Sequence, residues 1–255
     1  MNDMGLRLVD AARTDVGKVR EVNEDSYVSR PDEGLWAVAD GMGGFEHGQW
    51  ASQTVVASLN QAILTGDFDA DSLRVADAIH AANTTIHAES EAEGKRMGST
   101  AAVLLVRERR FAVLWAGDSR VYLLRDGVLF RLSRDHTQVQ ELVDRGMLTL
   151  EEAAHHPMAH VVSRAVGVQP ALQVDAIVDE ANVGDVFMLC SDGLYGEVAD
   201  AEIAETLGSG RPAMACDRLV ETALERGARD NVTVIAVACE EITLTTSPTD
   251  LAEIP

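Results

Sequence analysis

Hydrophobic positions along the chain follow two rhythms, and these divide it into strands and helices. Short runs rich in Val, Ile, Leu and aromatic residues, bounded by Gly, Asp or Asn, predict strands over 35–40 ("LWAVAD"), 100–107, 110–118, 120–125, 128–132, 185–192 ("DVFMLCSD") and 232–239 ("VTVIAVAC"). Apolar residues at three- and four-residue spacing predict helices over 47–64, 72–93, 137–145, 150–155, 199–208 and 212–227. At the short helix 150–155, Thr149 and Glu152 form a capping-box pattern and Pro157 closes the segment.

The strands between 100 and 132 follow one another too closely for helical crossovers, so they pair antiparallel. In "YLLRDGVLFRL", Asp126-Gly127 stands between two alternating apolar runs, the mark of a hairpin with a two-residue turn. Helices precede and follow this block in pairs, which predicts a layered α+β domain and not a doubly wound parallel sheet. No internal repeat or low-complexity linker interrupts the pattern. One domain is expected over 1–240, with 241–255 ("EITLTTSPTDLAEIP") as a frayed tail.

Charge sharpens this picture. The chain carries 42 acidic and 21 basic residues, for a formal net charge of -21. Such a balance argues against nucleic acid or an anionic membrane as the main partner, since phosphate surfaces require clustered Lys and Arg. Solubility explains part of the acidity; a gathering of carboxylates around cations is the sharper reading. Cys190, Cys216 and Cys239 form no C-x-x-C pair and fit reduced core positions. The N-terminal residues contain no apolar signal segment, and the longest apolar runs are too short to span a bilayer, so a cytoplasmic protein is expected, with a monomer as the default.

Several acids do not look like turns. Asp40, Asp118 and Asp192 each close an apolar strand, Asp230 stands directly before one, and Glu24-Asp25 lies just ahead of the first central strand. A single acid in such a place is ordinarily a turn former or a cap. Four, each beside Gly or Asn, are hard to treat as independent turns. Clustered carboxylates repel one another unless cations compensate, and an all-oxygen donor set favours Mg²⁺ or Mn²⁺ over zinc. Two such ions can activate a shared water and clamp a phosphoryl group. Gly41 could turn its carbonyl toward a cation, and Arg20 offers a guanidinium fork for phosphate oxygens. Other phosphate chemistries lack their parts: no cysteine begins C-x5-R, and no G-x-x-x-x-G-K-[ST] loop occurs. In "HHPMAH", Pro157 separates His156 from His160 and makes a shared helical face unfavourable.

Six blocks in order, "GKVREVNEDS", "VADGMGG", "MGSTA", "AGDSRVY", "CSDGL" and "RDNVTVIAV", resemble the metal-dependent serine/threonine protein phosphatases of the protein phosphatase 2C (PPM) type, in particular the compact bacterial members. The resemblance spans nearly the whole chain. It implies a four-layer α/β/β/α sandwich of two antiparallel sheets flanked by helix pairs, with a flap over about 133–168 beside the metals. It also implies hydrolysis of phosphoserine and phosphothreonine on proteins by metal-activated water, opposing a Ser/Thr kinase. Asp40 would bridge two Mn²⁺ or Mg²⁺ ions. Asp192 and Asp230 would complete the protein ligands of one, and the Gly41 carbonyl would bind the other. Glu24 would act through a water, with Asp25 and Asn231 in support, and Arg20 would bind the substrate phosphate. Asp118, with Asp192, matches a third, weaker metal site, although Gly196 stands where many members carry an aspartate. Met42 replaces the histidine that many eukaryotic members are proposed to use as general acid; a water, His47 or His136 are the alternatives. A catalytically idle phosphatase-like module and a two-metal nuclease are the competing readings.

Overall fold

The computed structural model describes residues 6–242 except 45, 155, 159 and 160. Most of the expected tail, from 243 onward, lies outside the described residues, as do His160 and the last residue of the helix expected over 150–155. Two antiparallel sheets pack face to face. The first has the order β1 (Leu6–Asp15), β11 (Val232–Glu241), β10 (Val186–Cys190), β7 (Arg120–Arg125) and β8 (Val128–Arg131). The second runs β2 (Asp25–Arg30), β3 (Leu35–Met42), β5 (Ala101–Arg107), β6 (Arg110–Ala116) and β9 (Asp175–Glu180), with β4 (Gly98–Ser99) paired to the end of β3.

The alternation of side chains along each strand sorts the apolar residues into three cores. Trp36 and Val38 of β3, Ala102 and Leu104 of β5, Phe187 and Leu189 of β10, and Ile235 and Val237 of β11 fill the space between the sheets. Phe111 and Phe187 meet there edge to face, with ring centroids 4.9 Å apart. The intervening residues of β3 and β5 face α1 (Glu46–Gln61) and α2 (Phe68–Glu93), which cover the second sheet. Those of β10 and β11 face α6 (Asp200–Leu207) and α7 (Pro212–Glu225) on the first sheet. The expected α/β/β/α layering is therefore present. Among the described residues no helix is long and apolar enough to cross a membrane.

Local chemistry behaves as its residues dictate at two expected points. Asp126 and Gly127, at φ +52° and +77°, close the β7–β8 hairpin between Arg125 and Val128. Between β8 and β9 lie α3 (Gln138–Asp144) and α4 (Leu150–Ala154); at the start of α4, Thr149 and Glu152 cap one another, the Thr149 N–H donating to Oε2 at 2.8 Å and the Glu152 N–H to Oγ1 at 3.2 Å. All three cysteines are free and buried.

Other expectations need correction. β1, β2 and β9 lie outside every strand expected from the pattern. β1 interrupts its apolar residues with Asp10 and Arg13 and is held as an edge strand by pairing along its whole length with β11. β2 ("DSYVSR") and β9 ("DAIVDE") are mostly polar and owe their form to the partner strands β3 and β6. Tertiary pairing outweighs weak local propensity in all three. The acids also sit differently from expectation. Asp40 lies within β3, because β4 prolongs the pairing to Met42. Asp118 lies two residues past β6, where Gly117 at φ +114° ends the strand, and Asp192 opens the one-turn helix α5 (Asp192–Tyr195).

The Phe187 side chain is wholly buried between the sheets, so Phe187→Ala is expected to lower stability by about 3–5 kcal/mol in urea unfolding, the cost of an unfilled aromatic site.

Candidate metal centre

At one end of the sandwich the face between the sheets changes from apolar to polar without a break in the alternation. On β3, Asp40 follows Trp36 and Val38 on the same face; on β2, Asp25 lies directly opposite Asp40. Thr100 continues the inward face of β5, Ser119 that of β7, Ser191 that of β10 and Thr233 that of β11. These hydroxyls hold the acids in place. Thr100 Oγ1 accepts from the Asp40 N–H at 2.9 Å and pairs with Ser119 Oγ at 2.6 Å. Ser191 and Thr233 each donate to Asp25 Oδ2 at 2.7 Å.

Beyond this layer opens a cleft of about 500 Å³ lined by Arg20, Glu24, Asp40, Gly41, Met42, Asp118, Asp192, Asp230 and Asn231. Asp40, Asp118, Asp192 and Asp230, which stand 38 to 190 positions apart in the chain, thus meet in one place. Like charges directly opposite on paired strands are unfavourable, and the Asp25–Asp40 pair shows the consequence. Burial, then the charges of Asp25, Asp192, Asp118 and Asp230, holds the Asp40 carboxyl well above the ordinary carboxylate range. Burial, partly offset by the hydrogen bonds from Thr233 and Ser191, raises Asp25 to about 7. Burial and the charges of Asp192 and Asp135 raise Asp118 to about 7. Asp25 Oδ1 is buried with no hydrogen-bond partner. An oxygen-only donor set with a buried unpaired oxygen and too much negative charge is what divalent cations satisfy, so the residues fit such ions. Among the described residues no three of these groups are already drawn round one point as a closed ligand shell.

Arg20 lines the cleft and donates Nη2 to Asp230 Oδ2 at 2.7 Å, a pairing that raises the arginine further above its ordinary value. Asn231 accepts from the Glu24 N–H at 2.8 Å and donates to the carbonyls of Val16 and Val22, tying the loop that carries Arg20 and Glu24 to the start of β11. Gly41 packs so closely on the Gly48 carbonyl of α1 that any side chain would collide. Gly48 in turn leaves room for Glu24 Oε2, which a side chain there would displace. Gly48 lies outside the six blocks, whereas Thr100, Ser119, Ser191 and Thr233 lie inside four of them without having been singled out there. Position within those blocks is the signal that distinguishes the hydroxyls: each stands at the mouth of a strand, in step with its inward face.

The histidines are placed elsewhere. His136 is buried, with Nδ1 accepting from the Gly117 N–H at 3.1 Å and Nε2 3.1 Å from Asp175 Oδ2, and burial lowers its pKa. It braces the β6–β7 turn and does not line the cleft. His47 pairs with Lys95 and Glu93, also away from the cleft. Met42 does line it, and Gly196 closes α5 beside Asp192.

Fold and site together define an α/β/β/α sandwich with a carboxylate-lined cleft at one end of its two face-to-face antiparallel sheets. Residues 12–142 match the protein phosphatase 2C family, and the chain belongs to that family. It is 43% identical over 232 residues to the serine/threonine protein phosphatase PstP of Mycobacterium tuberculosis, a match covering 88% of this chain and 44% of PstP; the chain thus spans less than half the length of that relative. Against the serine/threonine phosphatase stp of Listeria monocytogenes it is 34% identical, covering 88% of this chain and 93% of stp. Among solved structures, the catalytic domain of PstP in complex with two manganese ions superposes with a TM-score of 0.83 at 39% identity, covering 92% of this chain and 100% of that one.

The raised carboxyls make a pH prediction. A carboxyl whose folded-state pKa lies above its unfolded value binds more protons when folded, so its contribution to stability falls as pH rises through the interval between the two values. With divalent cations chelated, melting temperature should therefore decline between the ordinary carboxylate value of 3.8 and about 7. Asp25→Asn, which keeps the acceptor for Ser191 and Thr233, should flatten that decline in calorimetric scans; an unchanged slope would count against the assignment.

Proposed function

We propose that this chain is a metal-dependent serine/threonine protein phosphatase domain that hydrolyses phosphoserine and phosphothreonine on proteins. The observation that carries this reading is the meeting of Asp40, Asp118, Asp192 and Asp230 in one cleft of a protein phosphatase 2C fold. Asp40 would bridge two Mn²⁺ or Mg²⁺ ions, Asp192 and Asp230 would complete one site, and the Gly41 carbonyl would serve the other, with Glu24 acting through a water. Asp118 with Asp192 would hold a third, weaker ion. Bound there, the ions neutralise the cluster and supply a water of lowered pKa together with an electrophilic clamp on the phosphoryl group.

The chain's own groups do the rest. Arg20 turns its guanidinium fork to the phosphate oxygens and orients phosphorus for in-line attack. To do so it must release Asp230, which frees Oδ2 for the cation. Water attacks phosphorus, the P–O bond to the serine or threonine oxygen breaks, and the departing oxygen takes its proton from water in the cleft. The Met42 thioether has no proton to give, and neither His47 nor His136 lines the cleft.

The catalytic domain extends over about 1–240, and the segment 133–168 acts as a flap. Its two ends are tied by the Thr137–Val162 bridge, and Val161 and Val162 reach the cleft wall. We place the protein in the cytoplasm as a monomer opposing a Ser/Thr kinase. The names of its relatives and its net charge of -21 support phosphoproteins, not nucleic acids, as substrates.

With Mn²⁺ present, purified protein should release phosphate from phosphoserine and phosphothreonine peptides. Asp192→Ala should lower that rate by about a hundredfold or more, the scale of removing one preorganised electrostatic group. Loss of calorimetric Mn²⁺ binding should accompany it. Unchanged turnover in Asp192→Ala would sink the proposal. Arg20→Ala should raise KM for phosphopeptide by about tenfold, as expected for a charge-assisted fork to phosphate.

A further inference from the structure

In a chain with 42 acids and 21 bases, most cations find partners. Among the described residues Lys18, Arg96, Arg211, Arg218 and Arg229 make no ion pair or side-chain hydrogen bond with one another or with the acids. Arg96 differs from the other four in its surroundings. It lines a groove of about 500 Å³ that shares Met42, Gly43 and Val162 with the candidate metal cleft, so the two adjoin across these residues. Among the described residues no acidic side chain lines this groove. Its other arginine, Arg164, is already neutralised by Asp175 at 2.7 Å. Arg229, by contrast, faces a groove that contains Glu197, Asp192 and Asp230.

Both walls of the Arg96 groove are fixed relative to the cleft. Gly43 lies against the Arg96 carbonyl, where an added Cβ would sit 2.9 Å away, and Met42 pairs with Gly98 two residues further on. The opposite wall is held by mutual hydrogen bonds between Ser99 and Val166 at 2.8 and 2.9 Å. Between them lie neutral polar groups, Ser90, Ser163 and Gln169, and the apolar Met97 and Val168. A single exposed guanidinium above a neutral floor suits one carboxylate, which it can grip through two parallel N–H donors. A phosphorylated substrate approaching a surface of net charge -21 gains from such a fixed cation beside the site.

We infer that Arg96 is a specificity-determining residue: the groove it lines takes an aspartate or glutamate side chain standing within a few residues of the phosphorylated residue in the substrate protein. The inference rests on the phosphatase reading for its substrate class. Binding is the direct test, because it can be read whatever the turnover. Fluorescent peptides carrying a non-hydrolysable phosphonate analogue of phosphoserine, flanked by Asp, Ala, Lys or a second phosphoserine, are titrated with Mn²⁺-loaded protein and followed by anisotropy. The Asp-flanked peptide should bind about fivefold tighter than the Ala-flanked one, the range of an exposed ion pair. Arg96→Ala should abolish that preference and Arg96→Glu should transfer it to the Lys-flanked peptide. Hydrolysis of p-nitrophenyl phosphate, which is too small to reach the groove, should be unaffected in both variants.

Equal affinities in the unaltered protein, or a preference that survives both substitutions, would overturn the inference. So would a gain from the second phosphoserine with none from Asp. If an Arg96-dependent preference appears but no phosphoester is hydrolysed, the activity reading fails and the groove stands; hydrolysis without the preference removes the groove alone.

Discussion

Repulsion among buried carboxylates is the constraint around which this end of the molecule is built. Asp25 and Asp40 face each other across paired strands, and Asp118, Asp192 and Asp230 add their charges to the same cleft. Left to themselves such groups would hold protons or push apart. The fold keeps them together because each is fixed by backbone that serves another purpose: β2 and β3 are paired strands, and Asp192 opens a helix packed against β11. A layer of hydroxyls from Thr100, Ser119, Ser191 and Thr233 supplies hydrogen bonds where the apolar core ends. Stability given up at the cleft is offset in the three hydrophobic cores, which are large and continuous.

The same layer explains why the site needs so little local machinery. A strand's side chains alternate between two faces, so a sheet that is apolar inward becomes polar inward simply by changing residue type at its last position. Six strands making that change at one end produce a polar cap over an apolar core. The cap holds Asp25 and Asp40 from within paired strands, while Asp118 and Asp230 stand in the short turns that flank it. Gly41 and Gly48 add the missing space, allowing α1 to approach β3 while leaving the Glu24 carboxylate its place.

Charge organises the surroundings too. Arg20 and Asp230 neutralise one another across the cleft mouth, so a cation and a phosphate oxygen would compete for the two halves of that pair. On the other side of Met42 and Gly43 the lining turns neutral and then basic. A cleft whose acids suit cations thus adjoins a groove whose exposed guanidinium suits an anion, and a phosphopeptide lying across both would meet opposite requirements within a few residues.

Much of this was legible in the residues. The central strands β3, β5, β6, β7, β10 and β11 are apolar enough to declare themselves, and the Asp126-Gly127 turn and the Thr149–Glu152 cap follow from local chemistry alone. The acids that converge were also visible, since each stands beside Gly or Asn at the margin of an apolar run. What the chain did not announce were β1, β2 and β9, whose mixed residues become strands only against a partner, and the hydroxyl layer, whose members are ordinary Ser and Thr until the sheets align them. His136, a plausible proton donor by type, proved to be a brace because the β6–β7 turn and Asp175 enclose it. Sequence by itself determined which residues are apolar, which turn, and which carry charge, because those are properties of single residues and near neighbours. Tertiary structure alone decided which face each acid shares and with whom, because register between strands far apart in the chain sets the distances over which charges repel, bind and compensate.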